Sequence, residues 1–147
     1  MQKNKNKKTR LVVDANAWIS SLLTPEFHER LKIVFDERYH LMVSEELFRD
    51  LASAMRKPYL TSRISRADYE LFVSMLQTDA ELVDVHSVID VCRDPKDNFL
   101  LALAKEGNAD YLITGDDDLR SIKQFEKTII VSLNEFETIT KQTEHQS

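Results

Sequence analysis

"YLITGDDDL", residues 111–119, joins a short, largely apolar run to three consecutive aspartates. Tyr111 to Thr114 are residue types that favour strands, and Gly115 bounds the run, so we expect a strand that ends at this glycine. Asp116 then lies at the carboxyl end of that strand. A helix N-cap before "LRSI" explains one aspartate. It does not explain three, because neighbouring carboxylates repel one another unless water or a cation screens them.

Strand-like runs recur along the chain with helical patterns between them. They are RLVVDA (residues 10–15), YHLMVS (39–44), AELVDV (80–85), YLIT (111–114) and TIIVS (128–132). Helical segments between successive strands indicate βαβ connections, which make neighbouring strands parallel. The sequence therefore predicts an α/β fold: a three-layer α/β/α sandwich with a mainly parallel, roughly five-stranded central sheet.

The composition predicts one globular domain and a basic N-terminal tail. The 147 residues are 42% hydrophobic and 31% charged, which suits a single domain with a real core. Residues 1–10 hold five of the 20 Lys and Arg and no Asp or Glu, so we expect a flexible basic tail followed by a domain over residues 11–147. That domain carries 15 basic against 25 acidic residues, a formal charge of −10. A nucleic acid would need a local basic patch or bridging cations to bind it.

Several classes of protein are disfavoured by what the sequence lacks. The single cysteine, Cys92, cannot form an internal disulfide, so a reducing, cytoplasmic setting is expected. No apolar run reaches the roughly 18 residues that span a bilayer, and no membrane association is expected. The histidines show no paired spacing with each other or with Cys92, which argues against a zinc site; they are residues 28, 40, 86 and 145.

Acidic residues follow the strand-like runs at one predicted edge of the sheet. In an open parallel sheet, ligands bind beyond the carboxyl ends of the strands. Asp14 and Asp116 each follow a strand directly. Asp97 lies in the first turn of a helix that Asp94 should cap and Gly107 should end, and this helix runs back antiparallel to the strands, so its start lies at the same edge.

A fourth acid should face this edge from the helix after the second strand. Among Glu45, Glu46 and Asp50, Asp50 lies nearest the apolar stripe of that helix and is the one most expected to point into a cleft. Four carboxylates without a His, Cys or Lys pattern raise one another's pKa and suit a hard divalent cation, Mg²⁺ or Mn²⁺. Such an ion can activate a water and stabilise the leaving oxygen of a phosphodiester. The class predicted from the residues is a metal-dependent phosphoryl hydrolase.

Four stretches that contain these acids together resemble the PIN-domain family of nucleases, in particular the branch described as toxins of toxin–antitoxin pairs. They are VVDANAWISSLL (residues 12–23), VSEELFRDLASAMRKPYL (43–60), DPKDNFLLALAKEGNADYLITGDDDL (94–119) and IIVSLNEF (129–136). The resemblance implies an endonuclease that cleaves single-stranded RNA with Mg²⁺ or Mn²⁺. It also implies dimerisation and inhibition by a small antitoxin protein.

The resemblance assigns roles to individual residues. The catalytic acids are Asp14, Asp50, Asp97 and Asp116; the metal ligands are Asp14, Asp97, Asp116 and Asp118; the supporting residues are Asn16, Glu46 and Thr114. The chain departs from the family at two positions. Ala15 stands where the family commonly has threonine, and Asp50 is one methylene shorter than the usual glutamate, a difference that Glu46 or a bridging water would make up.

The three consecutive aspartates are expected to have different roles. Gly115 should let the backbone turn sharply or approach a ligand closely, so that Asp116 projects into the metal cluster. Asp117 or Asp118 should cap the helix that follows, and Asp118 should hold a metal-bound water.

A basic patch is the predicted nucleic-acid contact. Arg56, Lys57, Arg63 and Arg66 surround Tyr59, so phosphates could bind the cations while a base stacks on the ring.

Two other readings of the acids stay open at this stage. A haloacid-dehalogenase-like phosphatase also places aspartates at strand ends, but it needs Asp-x-Asp at the first strand, where this chain has Asp-Ala-Asn at residues 14–16. A PIN-like RNA-binding module whose site has decayed is compatible with Ala15 and Asp50. Metal binding without RNA cleavage would distinguish that module from a nuclease.

Overall fold

The structure is a computed structural model that describes residues 7–146, apart from the side chains of residues 27 and 143–146. The strands are β1 Thr9–Val13, β2 Tyr39–Val43, β3 Glu81–Leu82, β4 Tyr111–Ile113, β5 Gln124–Phe125 and β6 Thr128–Val131. The helices are α1 Ala15–Leu23, α2 Phe27–Val34, α3 Glu45–Ala54, α4 Pro58–Thr61, α5 Arg66–Asp79, α6 Pro95–Glu106, α7 Asp117–Ile122 and α8 Leu133–Gln146.

The strands form one sheet in the order β3-β2-β1-β4-β6-β5. Every neighbouring pair is parallel except β5 and β6, which are antiparallel. The predicted α/β class with a mainly parallel sheet is confirmed. The sixth strand, β5, was not predicted because only two of its residues pair, and the tight connection to β6 depends on a positive φ of 53° at Glu126.

Helices cover both faces of the sheet, and the side chains of successive residues on a strand point to opposite faces. On β1, Leu11 and Val13 belong to a core cluster with α1, α3, α5 and α8, whereas Val12 belongs to a second cluster with α6. The largest aromatic contacts lie in the first cluster, where the Trp18 ring packs 5.0 Å from that of Phe72. This alternation explains why the apolar run of β1 has no polar face, as expected of a parallel strand buried on both sides.

The segment predicted as a third strand, residues 80–85, pairs only at Glu81 and Leu82. Residues 83–94 continue as an extended strap that packs Val83, Val85, Ile89 and Cys92 against the second core cluster. The Asn98 side chain fixes the end of the strap, because it accepts from the Cys92 N–H at 2.7 Å and donates to the Cys92 carbonyl at 2.9 Å. Backbone groups that a longer strand would have paired are thus partly satisfied by side chains of α6.

The predicted helix from Pro95 to a C-cap at Gly107 is confirmed. Gly107 has an ordinary φ of −82°, and Asn108 takes the positive φ of 51° that follows the helix. A Cβ at residue 107 would lie 2.5 Å from the Met42 sulfur. A larger residue at this position would require Met42 to move, so glycine favours the close packing of α6 on β2.

The N-terminal tail predicted for residues 1–10 falls largely outside the described residues, since residues 1–6 are not among them. Strand β1 begins at Thr9, two residues before the expected start of the domain, and its first pair is Thr9 with Tyr39. Within residues 7–146, no helix is both long and apolar enough to cross a bilayer.

Candidate metal centre

The carboxyl ends of β1 and β4 lie side by side, and Asp14 and Asp116 follow these two ends. Strand β1 pairs with β4, and the Asp14 N–H donates to the Ile113 carbonyl at 2.9 Å. The buried Thr114 hydroxyl donates to Asp14 Oδ2 at 2.8 Å and accepts from the Asp116 N–H at 3.0 Å. Thr114 therefore holds the Asp14 carboxylate and the backbone of Asp116 in a fixed relation; its supporting role, implied by the resemblance, stays a prediction.

Asp14 is a buried carboxylate with only 7% of its surface exposed. It is the N-cap of α1, and its side chain accepts from the Asn16 N–H at 3.3 Å. Burial raises the pKa of Asp14, the hydrogen bonds from Thr114 and Asn16 lower it, and the charges of Asp116 and Asp50 raise it, so that the pKa lies above its ordinary value. Asn16 acts here through its backbone, while its side chain is exposed.

Asp97, Asp116 and Asp118 form the tightest acidic group. One carboxylate oxygen from each lies within 4.8 Å of the others. Asp97 is only 4% exposed, and its burial, followed by the charges of Asp116 and Asp94, raises its pKa to about 7. Three carboxylates at this separation, one of them buried, are unfavourable without a counter-charge, and their all-oxygen set with one exposed member suits a hard cation that keeps some of its water.

The first of the three consecutive aspartates also caps the following helix. Asp116 Oδ1 accepts from the Asp118 N–H at 2.8 Å and from the Leu119 N–H at 3.3 Å. The prediction that Asp117 or Asp118 caps α7 is therefore wrong: the hydrogen bond of a cap runs forward by two or three residues, and Asp116 is the residue so placed. Asp117 points to solvent, with its side chain 98% exposed and 3.7 Å from Arg120.

Gly115 does not serve the sharp turn expected of it. No glycine among residues 7–146 has a positive φ, and a Cβ at residue 115 would meet nothing within 4 Å. The turn into α7 is held by the Thr114 and Asp116 hydrogen bonds.

Asp50 and Glu46 face the same edge from α3. With Asp14 and Lys96 they line a small cavity of about 30 Å³, room for about one or two waters. Burial raises the pKa of Asp50, the Lys96 charge lowers it, and Glu46 and Asp94 raise it, with a net rise. Asp14 lines this cavity and is joined through Thr114 to the backbone of Asp116, so it links the cavity to the group formed by Asp97, Asp116 and Asp118.

Two cations near the site were not singled out from the sequence. Lys96 lines the cavity with Asp14 and Asp50, and Arg93 lies 3.6 Å from an Asp118 oxygen. Their position in the sequence could have indicated them, since both precede Asp97 by at most four residues in the segment "RDPKDN". The capping role of Asp94, which places the first turn of α6 at the sheet edge, was the stronger pattern and obscured them.

The predicted RNA-binding residues do not line the acidic cavity. Arg56 and Lys57 follow the carboxyl end of α3, whose N-cap, Ser44, lies beside the cavity. Arg66 pairs with Glu70 at 2.9 Å. The contact of Arg56, Lys57, Arg63 and Arg66 with RNA stays a prediction.

Comparison with known proteins agrees with this geometry. A family model described as a PIN domain matches residues 10–118, which include all the acids described above. Members of this family are generally nucleases and usually bind divalent metal ions.

One relative and one solved structure extend the comparison over most of the chain. The uncharacterized protein MJ1680 of Methanocaldococcus jannaschii is 25% identical over 135 residues, which cover 90% of this chain and 86% of that protein. The crystal structure of PAE2754 from Pyrobaculum aerophilum superposes with a TM-score of 0.58 at 14% identity over 90% of both chains, a likeness of fold. Since the matching family model spans about three quarters of the sequence and its acids converge at one sheet edge, this chain belongs to the PIN-domain family.

Proposed function

We propose that this protein is a Mg²⁺- or Mn²⁺-dependent endoribonuclease that cleaves phosphodiester bonds of single-stranded RNA. The observation that carries the proposal is the group formed by Asp97, Asp116 and Asp118, whose oxygens lie within 4.8 Å of one another in a PIN domain. A buried carboxyl with a pKa of about 7 within that group is a functional arrangement rather than a stabilising one. Closely spaced carboxylates are found where a bound cation offsets the free energy of their burial and mutual repulsion.

The donor set fits a divalent cation. Asp97, Asp116 and Asp118 would hold it, and Asp14 is the further candidate because its charge acts on Asp97. A bound Mg²⁺ or Mn²⁺ supplies Lewis acidity, which makes water a better nucleophile and stabilises negative charge on phosphate oxygens.

The side chains of this chain position the reaction. Thr114 fixes the Asp14 carboxylate through its 2.8 Å hydrogen bond, so that carboxylate cannot rotate away from the site. The Asp50 carboxylate borders the cavity and can accept a hydrogen bond from a water there, while the Lys96 ammonium at the same cavity can neutralise a phosphate. In the cleavage step the water oxygen bonds to phosphorus while the bond from phosphorus to one sugar oxygen breaks, and that oxygen takes up a proton.

RNA as the substrate, the small antitoxin, the homodimer and the role as a toxin come from the resemblance to toxin-like PIN domains, and the cytoplasmic location comes from the single cysteine, Cys92. All five stay predictions. The net acidity of residues 11–147 supports only the narrower point that a polyanion needs cations at the site.

The proposal is tested with purified protein and a pool of single-stranded RNA, with matched single-stranded DNA alongside, in Mn²⁺, Mg²⁺ or EDTA. We expect metal-dependent cleavage of RNA by the wild type and none by Asp116→Asn. Asp117→Asn is the matched control, since it removes a neighbouring carboxylate that is 98% exposed, and it should cleave normally.

Three outcomes would contradict the proposal in different ways. Mn²⁺ binding, measured by calorimetry, without cleavage of any RNA would instead identify a decayed RNA-binding module. Cleavage that persists in Asp116→Asn would remove the acidic group from the reaction. A covalent phosphate on Asp14 would favour the phosphatase reading.

A further inference from the structure

A groove of about 440 Å³ opens beside the acidic cavity, and we call it the side groove. Its walls come from the first turns of α3 and from residues 82–85 at the start of the strap. Ser44, Glu46 and Phe99 line both the side groove and the acidic cavity, so the two adjoin. A nucleotide whose phosphate lies at the acids is therefore only one residue layer away from the groove.

Phe99 lies at this junction with no role in the core. It is half-buried on α6, two residues after Asp97, and it belongs to neither core cluster. Among the residues whose side chains the structure describes, no other aromatic ring packs against it. Leu100 and Leu101, which follow it, supply the contact of α6 with the sheet. Phe99 thus places a half-buried aromatic ring on the wall that the side groove shares with the acidic cavity.

The charges of the side groove disfavour phosphate and favour a neutral ring. Glu45, Glu46 and Asp84 line it against one cation, Arg49. That guanidinium is already paired, at 2.6 Å to Glu46 and at 3.5 Å to Glu45. A phosphate would meet a net negative wall, whereas an amino group on an uncharged ring would find carboxylate acceptors.

We propose that the side groove binds one unpaired nucleobase of the nucleotide next to the scissile phosphate, with the base stacked on Phe99. The inference rests on the proposed ribonuclease function and identifies part of its substrate recognition. Base–aromatic stacking accepts any base, but the carboxylates favour bases with an amino group, so cytosine should be preferred over uracil. A base inside a duplex is stacked and paired and cannot enter, so the side groove selects single strands.

The test couples a change in the protein to a change in the RNA. Fluorescence anisotropy measures the Kd of labelled single-stranded oligonucleotides for the wild type, Phe99→Ala and Phe99→Leu in Ca²⁺, a hard cation that occupies oxygen sites. An abasic nucleotide is scanned across the site at which Mn²⁺ produces cleavage, or across the whole oligonucleotide if none occurs.

At one position we expect the abasic change to raise the wild-type Kd about tenfold. Phe99→Ala should raise the Kd of the intact oligonucleotide by a similar factor, and the two changes together should add little more, because they remove the same contact. Phe99→Leu keeps apolar volume without a ring face and should lie in between. Cytosine at that position should bind about fivefold more tightly than uracil, and Mn²⁺ affinity should be unchanged in Phe99→Ala.

The inference is overturned if the effects of the abasic change and of Phe99→Ala multiply at every position. It is also overturned if Tyr59→Ala, which removes the exposed ring of α4, shows the non-additive coupling instead, because the base would then lie at the basic patch. If the abasic change and Phe99→Ala are non-additive but the wild type cleaves no RNA in Mn²⁺, the ribonuclease function is refuted and the base site is not. If the wild type cleaves RNA but the two changes are additive, the base site is refuted and the ribonuclease function is not.

Discussion

Replacing Asp97 by asparagine should stabilise the metal-free protein, and more so at high pH. Asp97 is 4% exposed, and its pKa is raised from 3.8 to about 7 in the folded state. Between these two values the unfolded chain loses its proton and the folded chain keeps it, so stability falls as pH rises from about 4 to 7 and is level above that. Asparagine has a similar shape and no charge, and the variant therefore avoids this loss.

The size of the effect follows from the two pKa values. A rise from 3.8 to about 7 corresponds to an upper limit of about 4 kcal/mol. Asp118 leaves one side of the group open to water, since its side chain is 61% exposed. Taking solvent screening into account, we expect about 2 kcal/mol at pH 8 and about a quarter of that at pH 4.5.

Thermal melts at the two pH values, in EDTA and in Mn²⁺, measure the prediction. In EDTA at pH 8, Asp97→Asn should melt about 6 °C above the wild type, and at pH 4.5 the two should nearly coincide. Saturating Mn²⁺ should make the wild type melt above Asp97→Asn at pH 8. A metal ion at 100 times its Kd stabilises the wild type by about 2.7 kcal/mol, whereas the variant lacks one of the carboxylates that bind the ion. Asp117→Asn is the control and should follow the wild type throughout.

A variant that is less stable than the wild type at pH 8 in EDTA would refute the reasoning, since it would show that ionised Asp97 is stabilised by partners in the folded state. An advantage of equal size at both pH values would also refute it, because a packing effect does not depend on the proton of Asp97.

Three further substitutions test the surroundings of the acids. Thr114→Val removes the donor to a buried carboxylate and should lower the free energy of unfolding by about 2 to 3 kcal/mol. Thr128→Val removes a buried hydroxyl–carbonyl hydrogen bond and should lower it by about 1 kcal/mol. Urea unfolding compares the two variants, and equal losses would contradict the special role of Thr114. Lys96→Gln should tighten Mn²⁺ binding and weaken RNA binding, each by about threefold, in calorimetry and anisotropy, and a loss of both affinities would indicate misfolding instead. Gly107→Ala should destabilise by about 1 to 2 kcal/mol, because a Cβ would lie 2.5 Å from the buried Met42 sulfur; an unchanged melting temperature would show that this methionine moves freely.

The sequence predicts which edge of the sheet carries the site, because this edge does not depend on the order of the strands. Asp14 and Asp116 each follow a buried strand, and in a parallel sheet all such positions lie at one edge. The pairing of β1 with β4, which makes Asp14 and Thr114 neighbours, could not be read from the chain, since these strands are about 100 residues apart. Only the fold shows that the supporting threonine is a direct donor to the first acid.

Other features depended on distances that no pattern encodes. Three of the four predicted metal ligands, Asp97, Asp116 and Asp118, form the tight group, and Asp14 is not a member of it. The predicted strand at residues 80–85 pairs only at Glu81 and Leu82, and the segment after it is held by side chains of α6, as at Cys92 by Asn98. Phe99 read as one more apolar residue of α6, since nothing in its local sequence tells a groove from a core.

The helix caps explain how the chain holds these acids together before a cation binds. Asp14 caps α1 and Asp116 caps α7, so the carboxylate of each accepts backbone N–H groups, which offset part of the repulsion. Asp97 differs because it lies inside the first turn of α6, where Asp94 is the cap. It therefore bears burial and repulsion without that compensation, which is why its pKa rises to about 7. The free energy that a bound cation contributes should accordingly be concentrated at Asp97, and the strength of binding should increase as pH rises toward 7 and the competing proton leaves.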